Sequence, residues 1–387
     1  MLSLAVAACL TLAQPGSDRV QSDPEAEGRY LADIRQLTFA DDFAKAGEAY
    51  FSPDGSLVIF QAVPNPGEGV EPSPHYSMYI AELRSDGLHH TARISPDGSA
   101  NTCGWFDPIH PGKVIFGSTL VPPSETEQPG YQRGSGRYRW AFPNEMEIVH
   151  GSYRVESSSG ELSGETGDLV FERPGYTAEC SYSPDARHIL YSQVDNEKSD
   201  EQGKADADLW VYDTETGTHT PLVVQPGYDG GPFFSPDAKW ICYRSDRRGD
   251  NLLQLYVGRL AYDDSGAITG IEQEYRLTDD ADVNWAPYWH PSGKYLLFAS
   301  SRVSHRNYEI FAVPFDSEDP GRVAEPVRVT FTSGFDGLPV FSRDGQWMMW
   351  TAQRGDDRDS KGKPSSQIWI ARWNGIDFDA DQTSSGG

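Results

Sequence analysis

The chain has 387 residues, with 58 acidic against 32 basic side chains and a formal net charge of −26. That balance excludes a nucleic-acid groove, which needs clustered Lys and Arg to track phosphates, and it is compatible with a soluble protein that meets cations or basic partners. The length would suit roughly two or three ordinary domains, but a repeat fold can occupy all of it as one unit; 38 Gly, 27 Pro and 12% aromatic residues describe a chain that turns often and fills strands.

The chain opens with "MLSLAVAACLTLA", a short run of small apolar residues followed by the polar "QPGSD". It reads as an export leader, too short to span a bilayer. "VAAC" also resembles a lipoprotein processing box with Cys9 as the lipidated residue. Residues 1–27 are therefore expected to be leader and flexible segment, and the protein to be exported, periplasmic or envelope-associated.

Next comes "DIRQLTF", Asp33–Phe39, which matches "YRLT" and "VRVT" much further along and is set aside for the end of the chain. The repeated unit begins at "EAYF" and the tight turn "SPDG" at Ser52. The second "SPDG", at Ser95, is out of step: it follows "TARI", whose Ile94 stands where Leu277 and Val329 stand in "YRLTDD" and "VRVTF". Ser95 is thus assigned to the end of an outer strand, and the second turn to "DPIHPG" after Trp105 and Phe106. "ECSY" with "SPDA", "GPFF" with "SPDA", "APYW" with "HPSG" and "LPVF" with "SRDG" follow. The aromatic markers Phe51, Phe106, Tyr182, Phe234, Trp289 and Phe341 recur every 52–55 residues, with one interval of 76 for an insertion at about 117–150.

Six units of this period, each reading as four strands, describe an all-β, six-bladed β-propeller of four-stranded antiparallel blades. The fifth unit shows the plan: "NWAPYW" is inner strand A, "KYLLFAS" strand B, "NYEIFAVPF" strand C and "EPVRVT" outer strand D. The near-continuous apolar runs suit middle strands buried on both faces. The last unit lacks its own strand D, and "DIRQLTF" is expected to pair into it, so that an N-terminal strand closes the ring. The propeller should fill 28–373, followed by a disordered tail, 374–387.

A "SPDG" turn, an apolar strand, "S-x-R", "IY" or "IF" and then "R-x-L/V-T" resembles the TolB-type β-propeller repeat over roughly residues 33 to 373. Members named TolB carry a separate α/β domain before the propeller, for which the residues ahead of the repeat leave no room. The pairing of TolB with its lipoprotein partner is therefore not carried over.

In a propeller the D-to-A connections and B-to-C loops share one face. Here that face has the long segments 64–75, 118–144, 194–208 and 354–366, and long loops on a rigid scaffold are where binding usually resides. Six residues before each turn lie Ala46, Asn101, Thr177, Asp229, Asn284 and Asp336; four before it lie Glu48, Cys103, Glu179, Gly231, Ala286 and Leu338. The channel mouth is expected to hold Glu48, Glu179, Asp229 and Asp336, with Asn101 and Asn284 between them. Such oxygens either cap tight turns in a hydrated funnel or form a ring for a basic side chain, an amine or a cation such as calcium. Arg247, Arg302 and Arg354 fall on the same face, where they satisfy those carboxylates or hold an acidic ligand.

Catalytic signatures are thin. No G-x-S-x-G elbow and no H-E-x-x-H occurs. His89 and His90 are adjacent in a strand and point to opposite faces, and His75, His110, His150 and His290 are scattered over different blades. Propeller lyases acting on uronides bind a metal through channel histidines, where this chain carries Asp, Glu and Asn. Cys242 reads as packing; Cys103 and Cys180 fall in related places of neighbouring units and leave a bridge open. The expected function is a non-catalytic, exported, monomeric propeller with no transmembrane span and no resident cofactor, binding a protein, peptide or envelope polymer through the mouth. The alternative is a metal-dependent carbohydrate lyase or hydrolase using the acidic mouth.

Overall fold

The computed structural model describes residues 22–124, 130–132, 137–139, 142–202, 204–322 and 324–380. The expected leader with Cys9, much of the blade-2 insertion and the end of the tail lie outside the described residues.

The strands assemble into six four-stranded antiparallel sheets, apart from a two-stranded ribbon of Gly130–Gln132 and Arg137–Arg139 in the blade-2 insertion. Blade 1 is Phe43–Phe51, Leu57–Pro64, Ser77–Arg84 and Gly87–Arg93; blade 2 is Asn101–Phe106, Lys113–Ser118, Glu147–Val155 and Leu162–Leu169. Blade 3 is Thr177–Tyr182, His188–Val194, Ala207–Asp213 and Thr218–Val223; blade 4 is Asp229–Phe234, Trp240–Ser245, Gln254–Tyr262 and Ile268–Arg276. Blade 5 is Asn284–Trp289, Tyr295–Ser304, Asn307–Pro314 and Val327–Arg328. Blade 6 takes Asp336–Phe341, Trp347–Ala352 and Gln367–Trp373 from the end of the chain and Leu31–Gln36 from its beginning. Each strand A touches strand A of the next blade, and blade 6 returns to blade 1. The expected propeller, with its N-terminal closing strand, is the observed one.

Closure is held by backbone and side chain together. Leu31 lies opposite Trp373 and Gln36 opposite Trp369. Leu37 N–H donates to the Ile368 carbonyl at 2.8 Å, and Ile368 N–H to Thr38 Oγ1 at 2.9 Å. The same pair of bonds ends other outer strands, with Leu277 and Thr278 on Leu255 and with Val329 and Thr330 on Ile310. In blade 1 the role falls to Ile94 and Ser95, both on Met78. Ser95 is therefore an outer-strand serine doing the work of a threonine, and its "SPDG" is a coincidence of letters.

The true turns share different chemistry. Ser52, Ser183, Ser235 and Ser342 are buried; each donates to the Asp two residues on at 2.5–2.6 Å and accepts the N–H five residues on at 2.9–3.0 Å. One hydroxyl thus satisfies a buried donor and supplies one of the bonds to the turn's carboxylate. Equivalent positions of strand B hold Phe60, Phe116, Tyr191, Tyr243, Phe298 and Trp350, all at 1% exposure or less, so each blade buries one large ring between its neighbours.

Both expected boundaries move outward. Asp23 caps a helix, Pro24–Gly28, and Glu27, expected in the flexible segment, is buried with its carboxylate on Arg354. Beyond Trp373, Ile376 and Phe378 pack on the core between blades 5 and 6, with Phe378 edge-on to Tyr295 at 5.7 Å. Cys103, Cys180 and Cys242 are free thiols; Cys180 Sγ donates to the Cys103 carbonyl at 3.5 Å, and no bridge forms between them.

Candidate functional site at the channel mouth

Every strand A carries a register break at the same place. The residue inside it has a positive φ: Glu48 at 45°, Cys103 at 52°, Glu179 at 57°, Gly231 at 58°, Ala286 at 51° and Leu338 at 55°. A bulge of this kind re-aims one side chain. It also cancels the two-residue alternation, so residues six and four positions before the turn no longer share a face.

The expected oxygen crown therefore divides. Glu48 and Glu179 stay on the channel. Asp229, Asp336, Asn101 and Asn284 are withdrawn into the blades at 0–3% exposure. Asp336 meets Arg354 through two bonds, at 2.8 and 2.9 Å, and also accepts Trp350 Nε1 at 2.9 Å. Asp229 meets Arg247 Nη2 at 3.1 Å, and Arg247 reaches on to Glu274 at 2.6 Å. Asn284 bonds Ser300, Gln254 and Asp280, while Arg302 is spent on Asp280. Asn101 donates to the Tyr76 carbonyl at 2.9 Å. Of the two uses expected for these arginines, satisfying carboxylates is the one observed.

Asp229 illustrates the electrostatic cost. Burial pushes its carboxyl up to about 7 against the pull of Arg247. An acid whose folded pKa is raised loses stability as pH climbs from its unfolded value, about 4, to the folded one. The thermal midpoint should fall across roughly pH 4–7. Asp229→Asn, which installs the side chain that blades 2 and 5 carry, should flatten that profile; an unaltered slope would count against this assignment.

The channel itself is built from unlike halves. Glu48, Cys103 and Glu179 face it from blades 1–3; Gly231, Ala286 and Leu338 face it from blades 4–6. Glu48 accepts Cys103 Sγ at 2.9 Å and the Tyr50 hydroxyl at 3.3 Å. Burial raises its carboxyl, the neighbouring Glu179 adds to this, and Cys103 and Arg244 oppose it. The Cys103 thiol is pushed well above its ordinary value by burial and then by both carboxylates, which keeps it a thiol. Glu179 accepts the Tyr228 hydroxyl, Gly231 N–H and, at 3.2 Å, Arg244 Nη2. A Cβ on Gly231 would stand 2.0 Å from Arg244 Nη1, so the glycine is what admits the guanidinium.

Below this tier Tyr50, Trp105, Phe233 and Tyr288 close over the axis with ring centroids 4.9–6.4 Å apart. The gap left beside Glu48 and Tyr288 is about 10 Å³, room for a single water. Above it the mouth is ringed by buried and half-buried aromatics. Phe142, from the blade-2 insertion, sits 5.0 Å from Tyr176 and 5.9 Å from Tyr228. Trp285 and Tyr308 each lie 6.1 Å from Phe335, and Lys45, its pKa lowered by burial, stacks on Tyr76 at 4.2 Å.

Sequence reasoning missed Arg244, Cys103, Tyr228 and this aromatic surround. Arg244 left a trace: the equivalent strand-B positions hold Gln61, Gly117, Ser192, Ala299 and Thr351, and it alone is charged. Among the described residues no three His, Cys, Asp or Glu side chains come together as a metal site, and no helix is long and apolar enough to cross a membrane.

No family model matches the chain. It is 24% identical over 219 residues to the Tol-Pal system protein TolB of Wolinella succinogenes, covering 56% of this chain and 47% of that one. It is 26% identical over 213 residues to the uncharacterized peptidase YuxL of Bacillus subtilis, covering 47% and 30%. The chain thus spans less than half the length of these two relatives. Among solved structures, a putative TolB from Agrobacterium tumefaciens aligns with 86% of this chain and 91% of its own, at 17% identity and a TM-score of 0.48. The likeness to TolB expected from the repeat is found.

Proposed function

We propose that this is a non-catalytic, exported TolB-like propeller that binds a protein or peptide partner across its channel mouth. The observation that carries the reading is the contrast between the two levels of the channel. Glu48 and Glu179 lie under a mouth whose floor leaves room for one water, and their hydrogen-bonding capacity is taken by Cys103, Tyr50, Tyr228 and Arg244. A ligand is therefore held at the rim, where Trp285, Phe335, Tyr308 and Phe142 offer flat, half-buried rings. Large aromatic side chains with a wet edge are the residues that anchor protein interfaces. The pairing of Asp229 and Asp336 with guanidinium groups supports a reading without calcium at these two positions.

The test is capture from an envelope extract. Trp285→Ala with Phe335→Ala should fold with a near-native thermal midpoint and lose at least ten-fold in captured partner. Undiminished capture would remove the rim from the site. Calcium or a chelator should leave the midpoint in place; a chelator-induced drop would revive the metal-dependent alternative.

A further inference from the structure

A cavity of about 640 Å³ lies away from the mouth. It lies on the opposite face, where the tight turns emerge, in the seam between blade 6 and blade 1. Its walls come from the closing strand (Arg35), the first turn (Phe51–Gly55), strand C of blade 1 (Leu83, Arg84) and the last turn with its strand B (Ser342–Asp344, Trp347). The volume falls within the usual range for small-ligand sites.

Its charges are unequal in availability. Asp54 accepts Ser52 Oγ at 2.6 Å, Ser56 N–H at 3.1 Å and Ser56 Oγ; Asp344 accepts Ser342 Oγ at 2.6 Å and Gln346 N–H at 3.0 Å. Both carboxylates are committed to their own turns. The arginines are not equally committed. Arg84 pairs with Glu82 at 2.7 Å. Arg35 lies over the Trp347 ring at 5.1 Å, its Nε is buried with no hydrogen-bond partner, and neither it nor Arg343 has a carboxylate partner among the described residues. In a chain with 58 acidic against 32 basic residues, two arginines beside apolar rings with no ion pair among the described residues are a feature to explain. The repeat adds an independent sign. Position 343 is Arg where the equivalent turns carry Pro53, Pro184, Pro236 and Pro291.

We propose that this seam groove binds a carboxylate borne on an apolar body. The carboxylate would bridge Arg35 and Arg343, whose planar forks suit its two oxygens, while the apolar body covers Trp347, Phe51 and Leu83. A free organic acid and the C-terminal end of a peptide share this chemistry.

The experiment is calorimetric titration of the full chain with N-acetylphenylalanine and with its amide. The acid should bind saturably, and the amide at least ten-fold more weakly. Arg343→Pro, which restores the residue of the other turns, should weaken the acid at least ten-fold without lowering the thermal midpoint, while Trp285→Ala with Phe335→Ala leaves it unchanged. A peptide ending in free phenylalanine separates the sources: tighter binding than the acetylated amino acid supports a peptide end, and equal binding supports a small acid. Equal affinity for acid and amide, no saturable binding of either, or an unaffected Arg343→Pro variant would each overturn the site.

Discussion

Replacing Arg354 with Ala should cost about 3–5 kcal/mol of stability, the range for stripping one partner from a buried charge network. Its side chain is 7% exposed and serves two carboxylates at once: Asp336 at 2.8 and 2.9 Å, and Glu27 at 2.7 and 3.0 Å. Removing it leaves both acids buried. Asp336 keeps Trp350 Nε1 and Thr332 Oγ1 as donors, and Glu27 keeps Phe331 N–H, but no positive charge remains beside either. Because Glu27 sits just before the closing strand, the damage should also show as early proteolysis ahead of residue 37 in otherwise native conditions. Glu27→Gln retains a hydrogen-bonding group and should cost much less, about 1–2 kcal/mol. Urea denaturation of the three proteins measures both effects; a loss under about 1 kcal/mol for Arg354→Ala would mean the N-terminal lock is incidental.

Arg244→Ala carries the second large effect, about 3 kcal/mol, by the same physics applied in the channel. The guanidinium lies 3.2 Å from Glu179 and 2.8 Å from the Tyr228 hydroxyl, and it is the cation nearest the Glu48–Glu179 pair. Without it Glu179 retains Tyr228 and Gly231 as donors but loses its ion-pair partner. Adding Glu179→Gln to Arg244→Ala should recover at least half of the loss. A deficit made worse by the second substitution would mean that packing rather than charge is at stake.

The architecture was legible because a propeller writes one pattern many times. The outer-strand ending, an apolar residue followed by Thr, could be matched between Leu37–Thr38, Leu277–Thr278 and Val329–Thr330, and it identified both the closing strand and the misleading Ser95. The site was only partly legible. Position counting assumed that alternate residues of a strand share a face, and a left-handed residue in every inner strand breaks that rule. Glu48 and Glu179 sit on the bulge and reach the channel; Asp229 and Asp336 sit two residues earlier and are turned into the blades. A positive φ at Glu48, Cys103 or Leu338 has no signature in residue type, since these side chains are not ones that favour it. Arg244 depends on the empty space at Gly231, a relation between two strands that neither one reveals alone. The aromatic surround gathers Phe142 from an insertion, Phe335 from a D-to-A connection and Trp285 from the start of an inner strand, where the other units carry small residues.

The reading of the mouth as a partner-binding surface is tested most directly by photo-cross-linking in the producing cells. A benzophenone side chain would be placed at Phe335, on the rim, and in a second protein at Tyr262, 41% exposed and bonded to Ala238 of a turn on the opposite face. The account predicts one discrete protein adduct from position 335 and none of that mass from 262. An adduct formed equally from both positions, or only from 262, would contradict it.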